Sequence, residues 1–149
     1  MPQFDRLDLN CFERLKIVKL RPGHIYNFEP HNMDISKNSG YLTVFQVCPD
    51  SDIKTNAVAH VLASMLNGPA FDYLRTKEKL GYIVKVSKES FLNVSHISIF
   101  VQSAKFDPDY IEVKVNDFLT SKFREYQKGC QASVDNNIQS IVNHINQKP

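Results

Sequence analysis

A chain of 149 residues with 42% hydrophobic and 23% charged content is long enough for one domain with its own core. Its net charge of +2 comes from Lys and Arg scattered along the sequence, which leaves no footprint for nucleic acid or for a membrane surface. No run of about 20 apolar residues could cross a bilayer, and the N-terminus "MPQFDRLDLNCF" is acidic and polar where a signal peptide is basic and then apolar. The expectation is a cytoplasmic protein, or a piece of something larger.

Residues 1–12 read as an N-terminal extension, and 13–149 as a single domain. "RLKIVKL" (14–20) alternates as a strand, "RPG" (21–23) is a turn, and "HIYNFE" (24–29) reads as the returning strand of a hairpin. After a polar loop over 30–39, "GYLTVFQVC" from Gly40 is apolar or β-branched on both faces and predicts a central strand. "PDSD" (49–52) breaks it and offers a helix cap. Helical spacing of Ile53, Ala57, Val58, Val61, Leu62 and Met65 predicts a helix over 53–66 that buries this stripe. Asn67-Gly68-Pro69 predicts its end, with a second helix over about 70–80 carrying Ala70, Phe71 and Leu74 on its inner face. Gly81 suits that helix's C-terminal end.

"YIVKVS" (82–87) reads as a strand with Tyr82, Val84 and Val86 on one side, 88–91 as a turn, and "NVSHISIFVQS" (93–103) as its antiparallel partner, carrying Ile97, Ile99 and Val101 together. Asp107-Pro108 caps a helix to about 127 on Ile111, Val115, Phe118, Phe123 and Tyr126, which Gly129 ends. Ser133 caps a last helix on Ile138, Ile141, Val142 and Ile145. The resulting order, β-β-β-α-α-β-β-α-α, predicts an α+β fold: an antiparallel sheet with helices packed on one face. The last apolar stripe has no following element to cover it, so the domain is expected to be incomplete at its C-terminal end, with self-association as one way to cover the stripe.

Little in the chain reads as catalytic. Cys11, Cys48 and Cys130 form no CxxC pair, and Cys48 reads as a small buried hydrophobe. His24, His31, His60, His96 and His144 fall in neither an HExxH nor an HxxEH arrangement, so no metal ligands are assigned here. His60 reads as a half-buried core histidine. No GxSxG elbow, phosphate-binding loop or GxGxxG is present.

The exception is "FDYLRTKEKLGYIV" (71–84), where Arg75 and Tyr82 flank one helix-to-strand turn. By residue type alone, Arg75 is a helix-surface charge between Asp72 and Glu78, and Tyr82 packs beside Val84 and Val86. The stretch, however, closely resembles the motif of the pitrilysin or insulinase family of zinc metallopeptidases, in its insulin-degrading-enzyme and nardilysin branch. The resemblance extends through "YLTVFQV", the helix before Asn67-Gly68-Pro69, and "HISIFVQSAKFDPDYIEVKVNDFL", covering roughly residues 14–147.

The resemblance implies a pitrilysin-type half-domain from the zinc-free C-terminal half of a two-half enzyme. In such enzymes the other half carries HxxEH and the zinc. Arg75 and Tyr82 then reach across to the backbone of a peptide substrate beside that zinc. The chain itself would bind no cofactor, be inactive alone, and need the zinc-bearing N-terminal half or a related chain as partner. The alternative is a degenerate peptidase domain that serves as a peptide-binding or regulatory module.

Overall fold

The computed structural model describes residues 17–30 and 38–127, together with positions 136, 138, 139, 142 and 143. The N-terminal extension, the loop over 31–37, Gly129 and most of the expected last helix lie outside the described residues. Positions 136, 138, 139, 142 and 143 are helical, and Ile138 and Val142 are exposed.

Three strands, β1 (Ser39–Pro49), β2 (Ile83–Phe91) and β3 (Val94–Ser103), form an antiparallel sheet in the order β1-β3-β2. The register stacks one apolar layer across it: Tyr41 and Val84 flank Val101, Thr43 and Val86 flank Ile99, and Phe45 lies beside Ile97. Ile97, Ile99 and Val101 are buried, as their alternation predicts. Each such side chain contributes about 1.5–3 kcal/mol of burial. A bulge between Gln46 and Cys48 brings Cys48 opposite the buried Ser95, and Cys48 is itself buried.

The central strand is therefore β3, and β1 is an edge of the described sheet. The hairpin expected between 14–20 and 24–29 does not form over its described part: 17–30 contains no strand and is largely exposed. The Gln46 side chain takes the bonds a neighbouring strand would make, accepting from Leu20 N–H at 2.9 Å and donating to Val18 O at 3.1 Å. The turn itself is present, with Gly23 at φ 75° and His24 N–H donating to Arg21 O at 3.2 Å. A turn signal and local alternation were thus not enough to pair two flanks that bury little apolar surface.

The helices cover one face of the sheet. α1 (Ile53–Ala70) starts where Asp52 accepts from Thr55 N–H at 3.1 Å and from its hydroxyl at 2.7 Å. It does not stop at Asn67-Gly68-Pro69 but continues without a break into a π-helical segment, Phe71–Lys77. Leu66, Ala70 and Leu74, four residues apart, are all buried across the interruption. That shared burial offsets a helix-interior proline, which costs about 3 kcal/mol.

The face of α1 that packs is also not the expected one. Ala59, Ala63, Leu66 and Ala70 meet the sheet, while Ile53 and Val58 are 79% and 67% exposed and Leu62 faces outward. Alanines let the helix axis approach a layer already filled by β-branched side chains.

The π-helical segment ends with Glu78 N–H donating to Tyr73 O and Leu80 N–H to Leu74 O. The left-handed residue there is Lys79 (φ 53°), not Gly81. Gly81 is required for another reason: a Cβ on it would lie 1.8 Å from Gln102 O in β3. β2 runs on through 88–91, and the hairpin turn is Leu92-Asn93, both at positive φ (47° and 65°), as a two-residue turn between twisted strands requires. α2 (Pro108–Asp117) follows, with Asp107 at the cap position but without a side-chain cap bond. It passes through a π-helical segment, Phe118–Lys122, into α3 (Phe123–Gln127). Ile111, Val115 and Phe118 complete the core.

Candidate functional site

Arg75 rides on the π-helical segment, and Tyr82 follows the Lys79–Gly81 turn at the entrance to β2. The turn brings the two side chains together. The Arg75 guanidinium carbon lies 5.0 Å from the Tyr82 ring centroid and 4.6 Å from that of Phe71, one helical turn earlier. Each such contact is worth about 0.5–1 kcal/mol at an exposed site. Ring contacts of this kind do not use up the guanidinium's N–H donors as a carboxylate would, which leaves them for carbonyl oxygens.

Neither residue is used as its type alone would suggest. Tyr82 is 81% exposed and does not share the burial of Val84 and Val86. The ladder Asp72–Arg75–Glu78 is absent: Glu78 instead accepts from Lys114 on α2 at 2.7 Å. Among the described residues, Arg75 makes no ion pair and no hydrogen bond. Phe71 was expected in the core but is 38% exposed, against Arg75. Its four-residue spacing from Arg75 on one helix was the signal for this contact.

A second group lies beneath. The Tyr73 hydroxyl donates to the Asp117 carboxylate at 2.7 Å, and the Tyr73 ring stacks on Phe118 with centroids 6.0 Å apart. The carboxylate pushes the Tyr73 phenol far above its usual range, with burial adding to it. The same bond, helped by Ser121, holds Asp117 below the usual carboxylate range. No local spacing in the sequence announced this pair, because it joins two separate helices.

A third group ties α1 to the end of the sheet. Asp50 accepts from Ser95 at 2.6 Å and from Ser90 at 2.7 Å, and these hydroxyls hold its carboxyl below the usual range. Asn56 contacts Ser95 and donates to the carbonyls of Pro49, Asp50 and Asp52. These bonds tie β1, β2, β3 and the start of α1 to one another, so the group reads as a structural joint.

The histidines do not converge. His24 and His60 are exposed, so His60 is not the half-buried core histidine expected. His96 is half-buried on the outer sheet face beside Gln46 and Glu89. His31 and His144 lie outside the described residues. Among the described residues, no group of three or more His, Cys, Asp and Glu side chains is arranged to hold a metal ion. No helix there is long and apolar enough to cross a membrane.

Residues 61–149 match the family described as PQQ synthase PqqF-like, C-terminal lobe domain 4. The chain belongs to that family, within the pitrilysin/insulinase group. It is 38% identical over 101 residues to an insulin-degrading enzyme of Drosophila melanogaster, an alignment covering 68% of this chain and 10% of the relative. Over 136 residues it is 28% identical to the A-factor-processing enzyme of Saccharomyces cerevisiae and 26% identical to the insulin-degrading enzyme of Homo sapiens, in each case 91% of this chain and 13% of the relative. The chain thus spans about a tenth of the length of these curated relatives. It is a peptidase-family domain, in a family that depends on zinc. The described residues offer no ligand set that would fit zinc, so no step of a reaction is derived through a metal held by this chain.

Proposed function

We propose that this domain binds and orients a peptide backbone through Arg75 and Tyr82, as the non-catalytic part of an insulin-degrading-enzyme-like peptidase whose zinc is held by another half. The observation that carries the reading is the cation–π cluster of Arg75 with Phe71 and Tyr82, with the Tyr82 side chain exposed beside the guanidinium. Arg75 offers several N–H donors to backbone carbonyl oxygens. The Tyr82 hydroxyl can donate to a scissile carbonyl oxygen, a bond that strengthens as negative charge develops there. The similarity to an insulin-degrading enzyme and to the A-factor-processing enzyme supports peptides as the substrate class.

The test is hydrolysis of a quenched fluorescent peptide by the chain alone and by the chain mixed with an HxxEH-bearing half. The expected result is turnover only in the mixture, reduced on the order of 10²–10³-fold by Tyr82→Phe or Arg75→Ala. Turnover by the chain alone, or full activity of both variants in the mixture, would refute the proposal. Peptide binding without turnover in any mixture would favour the binding-module alternative.

A further inference from the structure

The turn that carries Arg75 is pinned at residues on either side of it in sequence. Tyr73, two residues before Arg75, donates to Asp117 and stacks on Phe118. Glu78, three residues after it, pairs with Lys114. All three partners lie on α2 and the segment that continues it, so the two attachments bracket Arg75 and act against one support. The Tyr73–Phe118 contact joins two π-helical segments, Phe71–Lys77 and Phe118–Lys122. A π-helical turn is rare and is found frequently at functional sites. Its wider spacing changes the direction in which each later side chain leaves the helix. Whatever fixes the rotation of this segment at Tyr73 therefore also fixes where the Arg75 guanidinium stands relative to Phe71 and Tyr82.

We propose that Tyr73, through its hydrogen bond to Asp117, is a positioning residue for Arg75. The inference rests on the reading of Arg75 as a peptide contact, and it adds a residue that touches no peptide itself. The bond suits the task. It runs to an ionised carboxylate and so is shorter and stronger than a neutral one. The ring stacking on Phe118 limits Tyr73 to one orientation, and Ser121 holds Asp117 from its other side at 3.1 Å.

Two measurements on the full chain test this. The first follows the Arg75 side-chain Nε–H resonance by NMR. The nearby rings of Phe71 and Tyr82 displace it from the position of a solvated arginine. Tyr73→Phe is expected to move it toward that position, whereas Asp117→Asn, which keeps an acceptor oxygen for the phenol, should leave it nearly in place. An unmoved resonance in a folded Tyr73→Phe would overturn the proposal.

The second measures affinity for a fluorescein-labelled flexible peptide, in the presence of the HxxEH-bearing half, as a double-mutant cycle. Tyr73→Phe should weaken binding roughly three- to tenfold, the worth of one hydrogen bond, and should have no further effect once Arg75→Ala is present. An equal loss in both backgrounds would show a general structural role and would also overturn the proposal. If Arg75→Ala leaves affinity unchanged, it is the peptide-contact reading that falls, and the resonance alone then decides whether Tyr73 positions Arg75.

Discussion

Two glycines that flank the candidate site should respond to alanine in opposite directions. Gly68 lies inside α1, and a Cβ added there meets no heavy atom within 4 Å. Alanine should therefore gain the usual helix-interior advantage over glycine, about 0.5–1 kcal/mol. Gly81 is not at a positive φ, so alanine there suffers no backbone penalty of that kind. Its Cβ would instead lie 1.8 Å from Gln102 O, 2.7 Å from Gln102 C and 3.2 Å from Ser103 Cα. All three atoms are backbone of β3, which cannot rotate away as a side chain would. Relief requires the start of β2 to leave β3, breaking the Ile83–Gln102 rung and disturbing the buried Leu80. The cost should reach the upper end of the overpacking range, about 3 kcal/mol. Urea unfolding of both variants beside the parent chain measures the difference from their midpoints. A Gly81→Ala chain within about 0.5 kcal/mol of the parent would refute the close approach of turn and strand. A Gly68→Ala chain destabilised by about 1 kcal/mol or more would refute the continuous helix, since glycine is favoured over alanine where a helix ends.

Phe118 is fully buried between Tyr73 and Phe123, so Phe118→Ala should cost about 3–5 kcal/mol in the same unfolding assay. Acid should loosen the joint at Asp50. Its folded carboxyl titrates below the ordinary range because Ser95 and then Ser90 donate to it. That contribution is present above the unfolded value of about 3.9 and is lost as pH falls through the folded one. Asp50→Asn should therefore flatten the fall in stability below about pH 4, as read by circular dichroism across a pH series, and an unchanged slope would refute the assignment.

What the sequence made legible followed the strength of local pattern. Ile97, Ile99 and Val101 form a strict alternation, and β3 lies where they predict it. α1 was legible as a helix but not in its orientation, because the periodicity of large side chains pointed to Val58 and Leu62. The decisive residues are Ala59, Ala63 and Ala70, which weigh little in any hydrophobic count yet set how closely a helix can approach a sheet. Pro69 was misleading for a related reason. It marks a local cost, while the burial of Leu66 and Leu74 on either side is a tertiary gain that local propensity does not contain. The expected hairpin over 14–29 failed in the opposite sense: its local signals were good, but no partner buries its described part.

At the candidate site the residues were legible, but their relation was not. Arg75 and Tyr82 stand out in "LRTKEKLGY", yet helix spacing alone pairs Arg75 with Glu78 and leaves its charge spent on the surface of its own helix. The fold prevents this through a contact distant in sequence. Lys114 takes Glu78 at 2.7 Å, with both side chains about three-quarters shielded, and the carboxylate that would compete for the guanidinium is neutralised by another helix. Aromatic rings then hold Arg75 where a carboxylate would have stood, and they differ in one physical respect. A carboxylate would accept from the N–H donors, whereas the ring contacts leave Arg75 with no hydrogen bond among the described residues. A surface built this way retains its positive charge and its hydrogen-bonding edge for a neutral acceptor such as a peptide carbonyl. Among the described residues Arg75 makes no ion pair, so a ligand need not displace one of these before it can bind.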